Sequence, residues 1–148
     1  MYQRILVPLD GSTLSEAALP HAEKLARALN VEIVLLHVDV SPALTFESQT
    51  SPLAPLPEEV KIMRTDEASY IKTMCTGMEH KGLRVNYLFR DGVVADAILE
   101  AAETTQADLI IMSTHGRTGL LRLLLGSVAE QVVRQSKIPV MLIRPIEE

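Results

Sequence analysis

Chemistry is most concentrated between Met112 and Ser127, where MSTHGRTGLLRLLLGS gathers three glycines, two arginines and a histidine around a run of leucines. Gly116 and Gly119 permit positive φ and a close approach of backbone to a ligand. Gly126-Ser127 precedes a helical stretch. A helix start collects unpaired N–H groups and the positive end of the helix dipole, and so favours an anion. Arg117 and Arg122 would add charge. The same residues also read as a structural turn. Ser127 with Glu130 has the spacing of a capping box, LLRLLL suits packing against a sheet or an interface, and His115 fits a hydrogen-bonded loop residue. No second His, Cys or carboxylate lies near His115 at metal-ligand spacing. The stretch is not a P-loop, which needs GxxxxGK[ST]; no Lys occurs between Lys81 and Lys137, and GxGxxG is absent.

The charge distribution agrees with a small anion rather than a polyanion. The chain carries a formal −5, which argues against a general nucleic-acid surface. From Thr114 to Arg144 there are five cations (Arg117, Arg122, Arg134, Lys137, Arg144) and one anion (Glu130), net +4; this leaves nine cations and 18 anions, net −9, elsewhere. A solvated face explains such a region equally well on charge alone.

The 148 residues suggest one domain, residues 1–148, with an aliphatic core, because 47% of the chain is apolar but Trp is absent. No apolar run reaches the roughly 18 residues that span a bilayer. The N-terminal MYQRILVPLD turns polar too early for a secretory signal, and Cys75 is alone, so no disulfide framework exists. The expectation is a cytoplasmic protein without a membrane segment, and Cys75 reads as a small helix residue.

These residues must be positioned by regular elements. RILVPL (4–9), EIVLLHVDV (32–40), RVNYLFR (84–90), DLIIMS (108–113) and PVMLIR (139–144) read as strands. Most are almost continuously apolar, as parallel strands buried on both faces are; the less uniform VNYLF lies nearer an edge. Helices are expected from Thr13 to Leu29, with Thr13 and Glu16 as a capping box, from Pro57 to about Lys81, from Val93 to Thr105 after the turn pair Asp91-Gly92, and from Ser127 to Gln135. The alternation predicts an α/β fold, a parallel sheet with helices on both faces. Ligands of such sheets bind beyond the carboxyl ends of the strands, at a topological switch point, so PLDGS, HVDV and MSTHG are the segments to watch. Residues 41–57, with four of the eight prolines and no Lys or Arg, read as a long loop over the exit of the second strand, a lid, a partner contact or simply variable.

The stretch MSTHGRTGLLRLLLGSVAEQVVRQSKIPVMLIRP resembles the C-terminal signature of the universal stress protein family. ILVPLDGSTLSEAAL resembles its N-terminal one, and LLHV the end of its second strand. The resemblance covers the whole chain. It implies a Rossmann-like three-layer fold of five parallel strands, and a homodimer joined through the last strand, about Val140 to Arg144. Members that bind ATP carry Gly-x2-Gly-x9-Gly-[Ser/Thr]. Counting back from Gly126-Ser127 makes Gly116 the second glycine and puts Ser113 in place of the first.

Carried over by position, the resemblance places Asp10 at the nucleoside beside Pro8, and the Val38 backbone at adenine. Ser113, Gly116 and Arg117 line the ribose and phosphate path, with Met112, His115 and Gly119 in the same loop. Gly126, Ser127 and Val128 hold phosphate. Asp10 also suits a turn that starts a helix. The implied protein is a nucleotide-responsive module that binds ATP with Mg²⁺ and has no Lys or general base for rapid hydrolysis. A slow ATP hydrolase or transferase, a nucleotide-free interaction protein, and AMP or cyclic AMP as ligand are the rival readings.

Overall fold

The structure is a computed structural model that describes residues 1–39, 58–115 and 125–145, with the backbone alone for 58–65. The elements run β1 (Arg4–Leu9), α1 (Thr13–Glu16), α2 (Leu19–Leu29), β2 (Glu32–Asp39), α3 (Glu58–His80), β3 (Val85–Asp91), α4 (Val94–Thr104), β4 (Leu109–Ser113), α5 (Ser127–Gln135) and β5 (Val140–Ile143). All five strands pair in parallel, in the order β3-β2-β1-β4-β5. The expected α/β fold is therefore observed. The strand ends fall within a residue of those read from the apolar runs. The 41–57 loop and Pro57 lie outside the described residues.

Alternation along the buried strands divides the core into two faces. Ile5, Val7, Leu9, Ile33, Leu35 and Ile111 point to one side, where α2 and α3 supply Ala22, Ala26, Ile71, Cys75 and Met78. Leu6, Val34, Leu36, Ile110 and Met112 point to the other, against the alanine-rich face of α4 (Ala95, Ala97, Ile98, Ala101, Ala102) and Ala129 and Val132 of α5. Small alanines let α4 lie close to the sheet. The edge position expected for β3 is observed, and Tyr87 on it is 41% exposed. Among the described residues no helix is long and apolar enough to cross a membrane.

Two helix starts differ from the sequence reading. The helix expected from Thr13 to Leu29 is two, broken at Ala17 and Ala18. Pro20, in the first turn of α2, has no N–H to give the Glu16 carbonyl, so one continuous ladder cannot run through it. The cap of α1 is Ser12 rather than Thr13: the Ser12 hydroxyl accepts the Ser15 N–H at 3.1 Å and its carbonyl the Glu16 N–H at 3.3 Å. Glu16 is thereby free of capping duty and accepts the Tyr70 hydroxyl at 2.9 Å, tying α3 to α1.

Cys75 is a packed helix residue, 4% exposed, with its thiol 3.4 Å from a Glu79 carboxylate oxygen. Burial, and then the Glu79 carboxylate, push the thiol from 9.0 up to about 11. The thiolate is the reactive form, so Cys75 should resist maleimide or iodoacetamide at pH 8 in the native protein and react promptly in denaturant. Because the folded state holds the thiol proton more tightly, the stability this group confers should fall as pH rises from 9 through about 11. Alkylation followed by mass spectrometry, and urea melts across that range, check the two statements.

Candidate functional site

The switch point lies between β1 and β4, since the chain leaves β1 toward β2 on one side and β4 toward β5 on the other. The two central strands are not paired to their ends. β1 pairs β2 through Leu9↔His37, but its pairing with β4 stops at Leu6↔Ile110. The cause is Pro8. The Arg4 carbonyl accepts an N–H from Asp108 beside β4, so the even-numbered residues of β1 direct their backbone groups toward β4. Pro8 occupies the next such position and has no N–H. A proline inside a central strand is thus the sequence signal for an unzipped switch point.

Beyond Pro8, a closely bonded turn carries the chain into α1. The Asp10 carboxylate accepts the Ser12 N–H at 2.9 Å and the Ser12 hydroxyl at 2.5 Å, while the Asp10 N–H donates to the Ser15 hydroxyl at 3.2 Å. Gly11 between them has φ +88°, a conformation that costs glycine no side-chain clash. The structural reading of Asp10 as a turn former is therefore realised. Asp10 is the first residue past β1, and α1, into which it leads, packs against both β1 and β4. Val38 sits one residue past the last β1–β2 pair; its side chain lies in the α4-side core, which leaves its backbone as the group at the strand end.

On the other side, β4 ends in a second junction. Met112 is buried in the α4-side core. The Ser113 hydroxyl donates to the His115 carbonyl at 2.7 Å and accepts the His115 N–H at 3.3 Å. Thr114, buried, donates its N–H to the Ile143 carbonyl of β5 at 2.8 Å and accepts the Gly126 N–H at its own carbonyl, also at 2.8 Å. Its hydroxyl lies 3.0 Å from Nδ1 of His115. Gly116, Arg117 and Gly119 lie outside the described residues.

The Thr114–Gly126 bond determines how α5 begins. Gly126 is the N-cap, φ −69° and ψ 159°, and as a glycine it brings no side chain to cap the helix. The capping box expected of Ser127 and Glu130 is absent: Gly126 already supplies the carbonyl for the Glu130 N–H at 2.9 Å, and the Glu130 carboxylate pairs with Arg134. Ser127 is the first helical residue and is exposed. The N-terminal N–H groups of α5 therefore receive no bond from the side chain of their own cap residue, and a helix start of this kind has the arrangement that binds anions.

His37, from the HVDV segment, does not join this cluster. It is 2% exposed on the opposite face, stacked on Phe89 at 5.6 Å between centroids. Its Nδ1 donates to the Leu9 carbonyl at 2.9 Å, and its Nε2 is 3.4 Å from a Glu67 carboxylate oxygen. It closes the end of the core beneath α3. Ser12, the end of the Asp-Gly-Ser turn, caps α1 as that turn implies. Thr114 and Ser15 also hold the site together without a sequence signal of their own: Thr114 acts through backbone groups, which no side-chain pattern reports.

A parallel five-stranded α/β sheet with an unzipped switch point belongs to the doubly wound class, whose ligands bind in the crevice at that point. Residues 1–144 match the universal stress protein family, and the chain belongs to that family. It is similar to universal stress protein MJ0531 of Methanocaldococcus jannaschii, with 36% identity over 97% of this chain and 83% of that protein. The solved structure of MJ0577 from the same organism superposes with TM-score 0.83 at 32% identity, covering 100% of this chain and 99% of the other. An Arabidopsis thaliana member solved with AMP bound shares the fold at TM-score 0.64 and 21% identity, over 97% and 92% of the two chains.

Gly126 is required by packing. A Cβ at this position would stand 2.9 Å from the Thr114 carbonyl oxygen and 3.7 Å from the His115 Cα. Gly126→Ala should cost about 1–3 kcal/mol of stability, the range for a forced backbone shift, read from the urea midpoint.

Proposed function

We propose that this member of the universal stress protein family binds an adenine nucleotide, ATP with Mg²⁺, across the carboxyl ends of β1, β2 and β4, and acts as a homodimeric nucleotide-responsive module. The observation that carries the reading is the start of α5: a glycine cap without a side chain, held beside the β4 exit by the Thr114 carbonyl. Phosphate would sit on the N–H groups of Ser127 and Val128 and the Ser127 hydroxyl. Adenine would meet the Val38 backbone, and the nucleoside would lie beside Pro8 and Asp10. Ser113 does not obstruct this arrangement through its backbone, because Asn30 and Gln106 are the only non-glycine residues with positive φ among those described. The AMP described for the Arabidopsis protein is the same chemical class of ligand.

Mg²⁺ commonly takes one or two protein carboxylates and completes its shell with phosphates and water. Asp10 at the β1 exit suits that role. Among the described residues no group of three or more His, Cys, Asp or Glu gathers as a dedicated metal cage, so the phosphates would carry most of the coordination. The metal would neutralise phosphate charge. The chain's own part is to bind and orient: the helix start fixes the phosphates, and the Asp10 turn fixes the nucleoside end.

Ser127→Pro tests the cradle without dismantling the helix. Proline is accepted at the first helical position, and Gly126 already has the extended backbone that a residue before proline adopts. The substitution removes one N–H and the hydroxyl. ATP affinity should fall at least about tenfold, the value of one or two charge-assisted hydrogen bonds, with little change in thermal stability. Calorimetry measures it, and unchanged affinity would remove phosphate from α5. Small molecules released from the denatured protein, identified by mass spectrometry, separate ATP from AMP and cyclic AMP; release of none, with no thermal shift at millimolar ATP-Mg²⁺, would favour the nucleotide-free reading.

The homodimer would form through β5, which pairs with β4 on one side only and carries Met141 at 37% exposure beside half-buried Val140, Leu142 and Ile143. An apolar edge of this kind pairs readily with another strand. Met141→Lys should yield a folded monomer by light scattering; a dimer of unchanged affinity would place the interface elsewhere.

A further inference from the structure

We infer that the Ser113 hydroxyl is a positioning group for the phosphate cradle, so that this chain uses a serine side chain where the family's ATP-binding pattern uses a glycine. The inference rests on the nucleotide reading above and specifies how the cradle is held.

Glycine is valuable where positive φ or close approach is required. Ser113 needs neither: its φ is not positive, and its side chain is accommodated at 7% exposure. What the structure uses instead is the hydroxyl. It donates to the His115 carbonyl and accepts the His115 N–H, a side-chain-to-backbone turn spanning two residues. Thr114 is enclosed in that turn, with its two peptide groups held in fixed directions. One of them points its carbonyl at the Gly126 N–H, 2.8 Å away.

That bond matters because the Gly126 cap has no side chain of its own to hold the helix start. The Thr114 carbonyl supplies a hydrogen bond that ties the cap of α5 to the end of β4, beyond the packing of Ala129 and Val132 on the sheet. Order thus runs from the Ser113 hydroxyl through the Thr114 peptide to Gly126 and the N–H groups that follow. Replacing Ser113 with glycine would restore the family pattern and loosen the cradle, since the turn would lose its hydroxyl and gain backbone freedom.

The experiment compares wild type with Ser113→Gly, Ser113→Ala and Ser113→Thr, each titrated with ATP-Mg²⁺ and with adenosine. Ser113→Gly and Ser113→Ala should bind ATP about threefold to tenfold more weakly, the worth of one hydrogen bond. Adenosine affinity should be unchanged, because it lacks the phosphates, and Ser113→Thr, which keeps the hydroxyl, should restore ATP binding. Tighter or equal ATP binding by Ser113→Gly overturns the inference. So does an equal loss for adenosine and ATP, which would mark a general loss of structure. Amide hydrogen exchange at Gly126 gives a readout independent of ligand: it should quicken by a similar factor in the Gly and Ala variants and not in Thr. If wild type binds no adenine nucleotide, the proposed function fails, and this exchange measurement alone decides the positioning role; unchanged exchange overturns it.

Discussion

A single absent hydrogen-bond donor organises the carboxyl end of the sheet. Pro8 lies in the middle strand, on the side facing β4, where a ladder would otherwise continue. With an ordinary residue at position 8, β1 and β4 would be free to zip further along the switch point. Proline withholds the N–H, and the ladder closes at Leu6↔Ile110. On its other edge β1 stays fully paired, and the Leu9 carbonyl receives the His37 Nδ1–H from β2. The opening is therefore one-sided and lies where the chain connections diverge.

Each flank of that opening is held by short-range polar bonds that replace the missing ladder. On the β1 flank, Asp10, Ser12 and Ser15 exchange five bonds within six residues. On the β4 flank, Thr114 divides its backbone groups between β5 and the cap of α5. One residue thus joins the apolar edge strand to the helix start. Beneath both flanks the two aliphatic layers, with Ile5, Val7, Ile33, Leu35 and Ile111 on one face and Leu6, Leu36, Ile98, Ile110 and Val132 on the other, hardly meet solvent. Polar loops on a rigid apolar sheet are the general arrangement of binding sites in this class.

Much of this was legible in the residues. Continuous apolar runs identified the five strands because strands buried on both faces need no polar alternation. The mixed character of VNYLF marked an edge for the same reason in reverse. What went astray was capping. Thr13 and Ser127 both have good capping-box spacing, yet Ser12 and Gly126 are the caps. A capping pattern records only which residues are able to cap. The residue that does so is decided by where the chain enters the helix, and that depends on distant partners: the Asp10 turn in one case and the Thr114 carbonyl in the other.

The sequence by itself determined the five strands and their alternation with helices, the parallel sheet, the family and the segments that would meet at the strand ends. These follow from local periodicity and from motif residues that are read one after another. Tertiary structure alone decided that Pro8 interrupts the β1–β4 ladder, because strand order and the direction of each backbone group are properties of the assembled sheet. It decided that Gly126 is excluded from bearing a side chain by the Thr114 carbonyl, and that the Ser113 hydroxyl turns onto His115. Those outcomes depend on distances of about 3 Å between groups up to a dozen residues apart, which no spacing in the chain encodes.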